Sequence, residues 1–142
     1  PGRTAVNMND ESIAICAQHE NIVALKDATG DLSRLHSLKQ ILAEQQQQQQ
    51  QQSTADSNDK FLLYSGDDGS TKDFVLQGGD GCISVTANVA PAEMAALMQA
   101  CLEQDTVTAN TINDKLAALH NDLFCEANPI PTKWALQRMG LI

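Results

Sequence analysis

The 142-residue chain has no Cys-x-x-Cys pair, no surplus of basic residues, no long apolar run and no Gly-x-Gly-x-x-Gly fingerprint. Its four cysteines, Cys16, Cys82, Cys101 and Cys125, are far apart, with no histidine at metal-ligand spacing. No zinc site is expected. Three of the four fall on apolar stripes, where a free thiol behaves as a small buried hydrophobe. The expectation is a reducing, cytoplasmic setting and no metal. Nine Lys and Arg against eighteen Asp and Glu leave a formal net charge of -9. Nucleic acid and anionic membranes both attract basic surfaces, so neither is an expected partner. No stretch is long and apolar enough to span a bilayer. The Gly78-Gly79-Asp80-Gly81 cluster enters an apolar segment rather than leaving one, which makes it a poor phosphate cradle. The chain opens Pro1-Gly2-Arg3 with no initiator Met, as a loop entering a helix, so it is expected to be a fragment.

What is present is alternation. Asn9 and Asp10 are placed to cap a helix with Ile13, Cys16 and Ala17 on one face, ending near His19-Glu20. An apolar strand over 22–26 follows. Thr29 or Asp31 then caps a helix whose Leu32, Leu35, Leu38 and Leu42 share one face. Phe61-Leu62-Leu63-Tyr64-Ser65 reads as a second strand, and Gly66-Asp67-Asp68-Gly69 as a loop. Ser70-Thr71-Lys72-Asp73 has capping-box spacing for a short helix. Three glycines end that helix and lead into a third strand over 82–86.

Pro91 suits the first position of the next helix, where Met94, Leu97, Met98, Cys101 and Leu102 follow the amphipathic template. Ile112, Leu116, Leu119 and Leu123 mark a longer helix. Asn128-Pro129-Ile130-Pro131 stops it, and a last helix begins near Thr132 with Trp134 as a packing residue.

Short apolar strands alternating with helices imply βα units and a parallel sheet. Three strands cannot close a barrel, which needs eight. The expected fold is therefore α/β, the second half of a TIM (β/α)8 barrel with additional C-terminal helices; a three-stranded doubly wound sheet is the rival. Residues 1–104 form the half-barrel units and 105–142 the helical segment. A low-complexity insert over 45–59 interrupts the first, beginning with eight consecutive glutamines. Its first glutamines extend the preceding helix and the remainder is expected to be mobile, since it buries little apolar surface. Polar-zipper self-association is one reading of the run; a tolerated surface expansion is the plainer one.

Lys26 closes the run Ile22-Val23-Ala24-Leu25-Lys26 and precedes Asp27-Ala28-Thr29-Gly30-Asp31. Barrel chemistry sits at the C-terminal ends of strands. A primary amine shielded from water there is driven toward its neutral form and can attack a carbonyl to give a Schiff base. From this segment alone the ordinary alternative, a strand-ending lysine whose ammonium reaches solvent, has the better claim.

Five pieces in order change that balance: Pro1-Gly2-Arg3-Thr4; Ala24-Leu25-Lys26-Asp27-Ala28-Thr29-Gly30; Ser65-Gly66-Asp67-Asp68; Gly81-Cys82-Ile83-Ser84-Val85-Thr86-Ala87-Asn88; and Asn128-Pro129-Ile130-Pro131-Thr132-Lys133-Trp134-Ala135-Leu136. Together they resemble the dihydrodipicolinate synthase family of pyruvate-dependent class I aldolases. The resemblance runs through the whole chain except the glutamine insert. It implies that Lys26 is the Schiff-base lysine. It also implies that Arg3 holds the carboxylate of the second substrate, that the main chain of Ile83 contacts pyruvate and that Gly66 borders the same pocket. The implied substrates are pyruvate and L-aspartate 4-semialdehyde, with no external cofactor, and the implied assembly is a homotetramer. The family's tyrosine and threonine proton relay has no counterpart here; Tyr64 matches none of it. Other pyruvate aldolases, acting on sialic acid or keto-sugar acids, and a non-catalytic homologue with a Gln-rich interaction insert are the competing readings. Asp67 and Asp68 are expected to be a solvated or capping pair, and His19, His36 and His120 surface histidines.

Overall fold

The computed structural model describes residues 4–52 and 60–142, with the backbone alone for 49–52. Helix α1 spans Asp10–Cys16, capped by Asn9, whose side-chain oxygen accepts from the Ser12 N–H at 2.9 Å. Strand β1 spans Ala24–Asp27, a shift of the expected strand toward its C-terminal end. The shift has a simple cause. The Ile22 N–H is taken by the His19 carbonyl in a turn, whereas the Asp27 carbonyl accepts from the Gly66 N–H and prolongs the ladder. Helix α2, Leu32–Gln52, is capped by Asp31, which accepts from the Ser33 N–H at 2.9 Å. Leu35 and Leu38 are buried, with Leu32 and Leu42 packed beside them.

The glutamine run departs from expectation. Helix α2 continues through all eight glutamines to Gln52 instead of fraying after the first few. A helix already nucleated on a buried leucine face adds residues at little cost, and glutamine opposes that extension only weakly. The rest of the insert, residues 53–59, lies outside the described residues.

Strand β2 spans Leu62–Ser65, α3 Thr71–Leu76 and β3 Gly81–Cys82. The sheet is parallel in the order β1-β2-β3, pairing Lys26 with Tyr64 and Tyr64 with Gly81. Two sequence expectations fail here. Ser70 makes no side-chain cap to α3; its hydroxyl donates to Asp67 at 2.6 Å, so the capping box does not form. The third strand stops after two residues, and Thr86–Asn88 is a short 3-10 helix. Its backbone is drawn out of the sheet by side-chain acceptors described below.

Helix α4, Pro91–Leu102, starts on its proline and buries Met94, Leu97, Ala100 and Cys101. Leu102, at the edge of that stripe, is exposed. Helix α5, Thr106–Asp122, is capped by Asp105 through the Thr108 N–H at 3.0 Å. Helix α6, Ile130–Arg138, begins two residues before Thr132, because Pro131 in its first turn lacks only an N–H that the helix does not use. Thr132 is the buried residue of α6. Trp134, two positions and so about 200° further round the helix, is 64% exposed rather than packed.

One core joins these elements. Leu35, Leu38, Leu63, Phe74, Val75, Met94, Leu97, Ala109 and Leu116 form a continuous buried cluster on one face of the sheet. Leu97, with no accessible surface, sits inside it. Leu97→Ala is expected to cost about 2–5 kcal/mol, read as a lowered denaturant midpoint with an unchanged slope.

Candidate active site

In a parallel sheet, residues in register point to the same face. Leu63 and Ser65 are buried on the helix side, which places Lys26, Tyr64 and Gly81 side by side on the other. Lys26 is exposed on that face, one residue from the end of β1. Its side chain lies across Gly66. A methyl group built on Gly66 would meet Lys26 Cε at 2.6 Å, Lys26 Cγ at 3.0 Å and the Ala28 Cβ at 3.0 Å. Glycine at this position is what lets the lysine pass.

Gly66 is held from the backbone, its N–H donating to the Asp27 carbonyl at 2.6 Å. Ile83 enters from the next strand, its N–H donating to the carbonyl of Ser65 at 2.8 Å, and its side chain is half exposed. Lys26, Gly66 and Ile83 are thus gathered at the C-terminal ends of three adjacent strands. Arg3 lies outside the described residues.

Below this surface is a buried polar layer. Asp27 is buried, accepts from the Thr29 N–H at 2.9 Å, and lies 3.5 Å from Arg34 Nε. Arg34 also pairs with Asp10 at 3.0 Å and donates to Asn7 and to the Met8 carbonyl. It therefore ties the segment before α1 to the end of β1. Asp67 accepts from the Ser70 N–H at 3.0 Å as well as from its hydroxyl, and so caps the start of α3.

Of the two expectations for this pair, solvated or capping, Asp68 excludes the first: it is 3% exposed. One of its oxygens accepts from the N–H groups of Val85 and Thr86, each at 2.9 Å, and from the Thr86 hydroxyl at 3.2 Å. The Ala87 N–H goes to the Ser84 hydroxyl at 2.9 Å. These acceptors bend the chain into the 3-10 helix in place of the expected strand. His120 is likewise buried rather than on the surface, with Nδ1 2.9 Å from the Thr86 hydroxyl. Burial lowers its pKa, against the opposing pull of Asp68 and Asp67. Burial also raises the thiols of Cys82 and Cys101, the former against an opposing effect of Thr71.

Sequence reasoning missed Arg34, Asp68, His120 and the register of Tyr64. Asp68 had a signal in its place two residues after Gly66, although its partners are 17 and 18 residues away.

A lysine at the mouth of parallel strands, with βα connections around it, places the chain among the parallel α/β folds. Comparison with known proteins narrows the class. The dihydrodipicolinate synthetase family matches residues 1–142, and the chain belongs to that family. It is 49% identical over its whole length to the 4-hydroxy-tetrahydrodipicolinate synthase of Thioalkalivibrio sulfidiphilus, and 47% identical to that of Alcanivorax borkumensis. In both cases it spans 43% of the relative's length. The crystal structure of the chloride-inhibited dihydrodipicolinate synthase of Acinetobacter baumannii, complexed with pyruvate, superposes with a TM-score of 0.85 at 44% identity, over all of this chain and 44% of that one. The Aquifex aeolicus synthase gives 0.84 at 34% identity, over 99% of this chain and 43% of that one. The three strands and their helices are part of a (β/α)8 barrel.

Proposed function

We propose that the chain is the C-terminal half of a 4-hydroxy-tetrahydrodipicolinate synthase, and that Lys26 is its Schiff-base nucleophile. The observation that carries this reading is Lys26 itself, on a strand end of the family's barrel with its side chain laid over Gly66. The pyruvate held by the Acinetobacter baumannii relative supports the choice of first substrate.

The chemistry follows from the amine. The Lys26 amine adds to the keto carbon of pyruvate, water leaves, and a protonated imine forms. The imine withdraws electrons, a methyl proton departs, and the enamine carbon attacks the aldehyde of L-aspartate 4-semialdehyde. Arg3 anchors that substrate's carboxylate through its planar guanidinium. The substrate's own amine then attacks the imine carbon, displaces Lys26 and closes the ring. Lysine is the electron sink, so no cofactor enters. Gly66 leaves room for the lysine, and the Ile83 main chain borders the pyruvate. The product feeds lysine and diaminopimelate synthesis in the cytoplasm, and the full-length protein is a homotetramer.

Borohydride reduction of the full-length protein with pyruvate tests the reading. A reduced pyruvate adduct mapped to Lys26 by peptide mass spectrometry is expected. An adduct elsewhere, or none, would end the assignment.

A further inference from the structure

Two loops meet at the proposed pocket, one after β2 carrying Gly66 and one after β3 carrying Ile83. What joins them is a chain of buried side chains. Asp68 stands two residues after Gly66 and grips the N–H groups of Val85 and Thr86, two and three residues after Ile83. The Thr86 hydroxyl continues the chain from Asp68, at 3.2 Å, to His120 Nδ1, at 2.9 Å. Asp68, Thr86 and His120 are all buried.

Hydrogen accounting gives this chain a direction. A hydroxyl has one hydrogen, and an ionised carboxylate only accepts. If the Thr86 hydrogen pointed to His120, its oxygen would face Asp68 Oδ2 with no hydrogen between them. The favourable order is therefore His120 Nδ1–H to Thr86 Oγ1, and Thr86 Oγ1–H to Asp68 Oδ2. His120 is then the neutral tautomer with Nε2 bare, and among the described residues no group hydrogen-bonds to Nε2.

We propose that His120, Thr86 and Asp68 form a positioning unit that fixes the main chain at Ile83 relative to Gly66 and thereby sets pyruvate binding. The inference rests on the synthase reading above. A buried carboxylate is costly, and an apolar replacement of the same shape would hold two loops together at least as cheaply. What the polar chain adds is direction: three donors converge on one oxygen, so the Val85–Thr86 backbone is held at one distance and one angle. None of the three residues touches the reacting atoms in this account; they act through the two loops.

Thr86→Val tests the unit, because it keeps the shape of the side chain and both backbone bonds to Asp68 but removes the hydroxyl's bonds to Asp68 and to His120. Asp68→Asn is a poorer probe, since loss of the carboxylate can unfold the loops. In the full-length protein, Thr86→Val is expected to raise the half-saturating pyruvate for borohydride trapping, and the pyruvate KM, by on the order of tenfold. The hydroxyl's two buried hydrogen bonds, to Asp68 and to His120, are lost, and only part of that loss falls on pyruvate binding. The KM for aspartate semialdehyde should stay unchanged, and Thr86→Ser should restore wild-type pyruvate binding. Nitrogen NMR of His120 should show a protonated Nδ1 and a bare Nε2. Wild-type pyruvate saturation in folded Thr86→Val, an equal rise in both KM values, or the opposite His120 tautomer would overturn the inference while leaving the synthase reading intact. If the wild type itself traps no pyruvate at Lys26, the reading beneath falls and the inference with it.

Discussion

Replacing Lys26 with alanine in the full-length protein is expected to lower kcat by roughly three orders of magnitude or more and to abolish borohydride trapping of pyruvate. The reason is covalent. Among the described residues of this sheet face no other side chain offers a primary amine; Tyr64 and Gly81 are its register neighbours. Lys26→Arg should fail equally, because a guanidinium stays charged and forms no imine. Neither change should disturb folding much. Lys26 is exposed, and exposed substitutions away from caps and special backbone usually shift stability within about 0.5 kcal/mol. Activity lost together with a wild-type thermal midpoint is thus the expected signature. Substantial turnover in Lys26→Ala would assign the nucleophile to another residue.

The parts of this fold that were legible in the sequence are those set by local chemistry. The leucine stripe of α2 reports a 3.6-residue period, and Leu35 and Leu38 are buried as that period requires. Asn9 and Pro91 mark helix starts because a side-chain cap and a proline in the first turn are both local features. Lys26 was legible too, standing at the end of an apolar run before a turn. The expectations that failed depended on distant partners or on helix phase. Ser70 has the spacing of a capping box, but Asp67 competes for its hydroxyl and wins. Residues 82–86 have the composition of a strand, yet Asp68 takes the N–H groups that a strand would have paired. His120 meets Thr86 across 34 residues, a contact no periodicity encodes. Trp134 reads as core by type, whereas the phase of α6 turns Thr132 inward instead. At the site the division is the same. The strand-end position of Lys26 could be read from residue type and order and Gly66 was named through the family resemblance, while the polar chain that ties their loops together exists only in three dimensions.

Gly66→Ala is the second large effect, and it separates the lysine's chemistry from its placement. The substitution leaves the nucleophile in the chain. Gly66 does not have a left-handed backbone, so alanine imposes no strain of that kind. What it adds is one methyl group, 2.6 Å from Lys26 Cε and 3.0 Å from both Lys26 Cγ and the Ala28 Cβ. Ala28 is anchored to the backbone and can move little, so the lysine must move. A displacement near 1 Å at a reacting group costs on the order of a hundredfold. The expected result is a fall of about that size in the rate of pyruvate trapping at saturating pyruvate, with the adduct still mapping to Lys26. Loss of the adduct altogether would mean that the methyl closes the pocket instead of shifting the amine. A wild-type trapping rate would mean that the lysine reaches pyruvate by a path that does not cross Gly66, and the proposed placement of the nucleophile would have to be abandoned. Gly66→Val, with two further carbons in the same space, should be worse than alanine. If instead valine and alanine behaved alike, crowding of Lys26 would not be the cause of the loss.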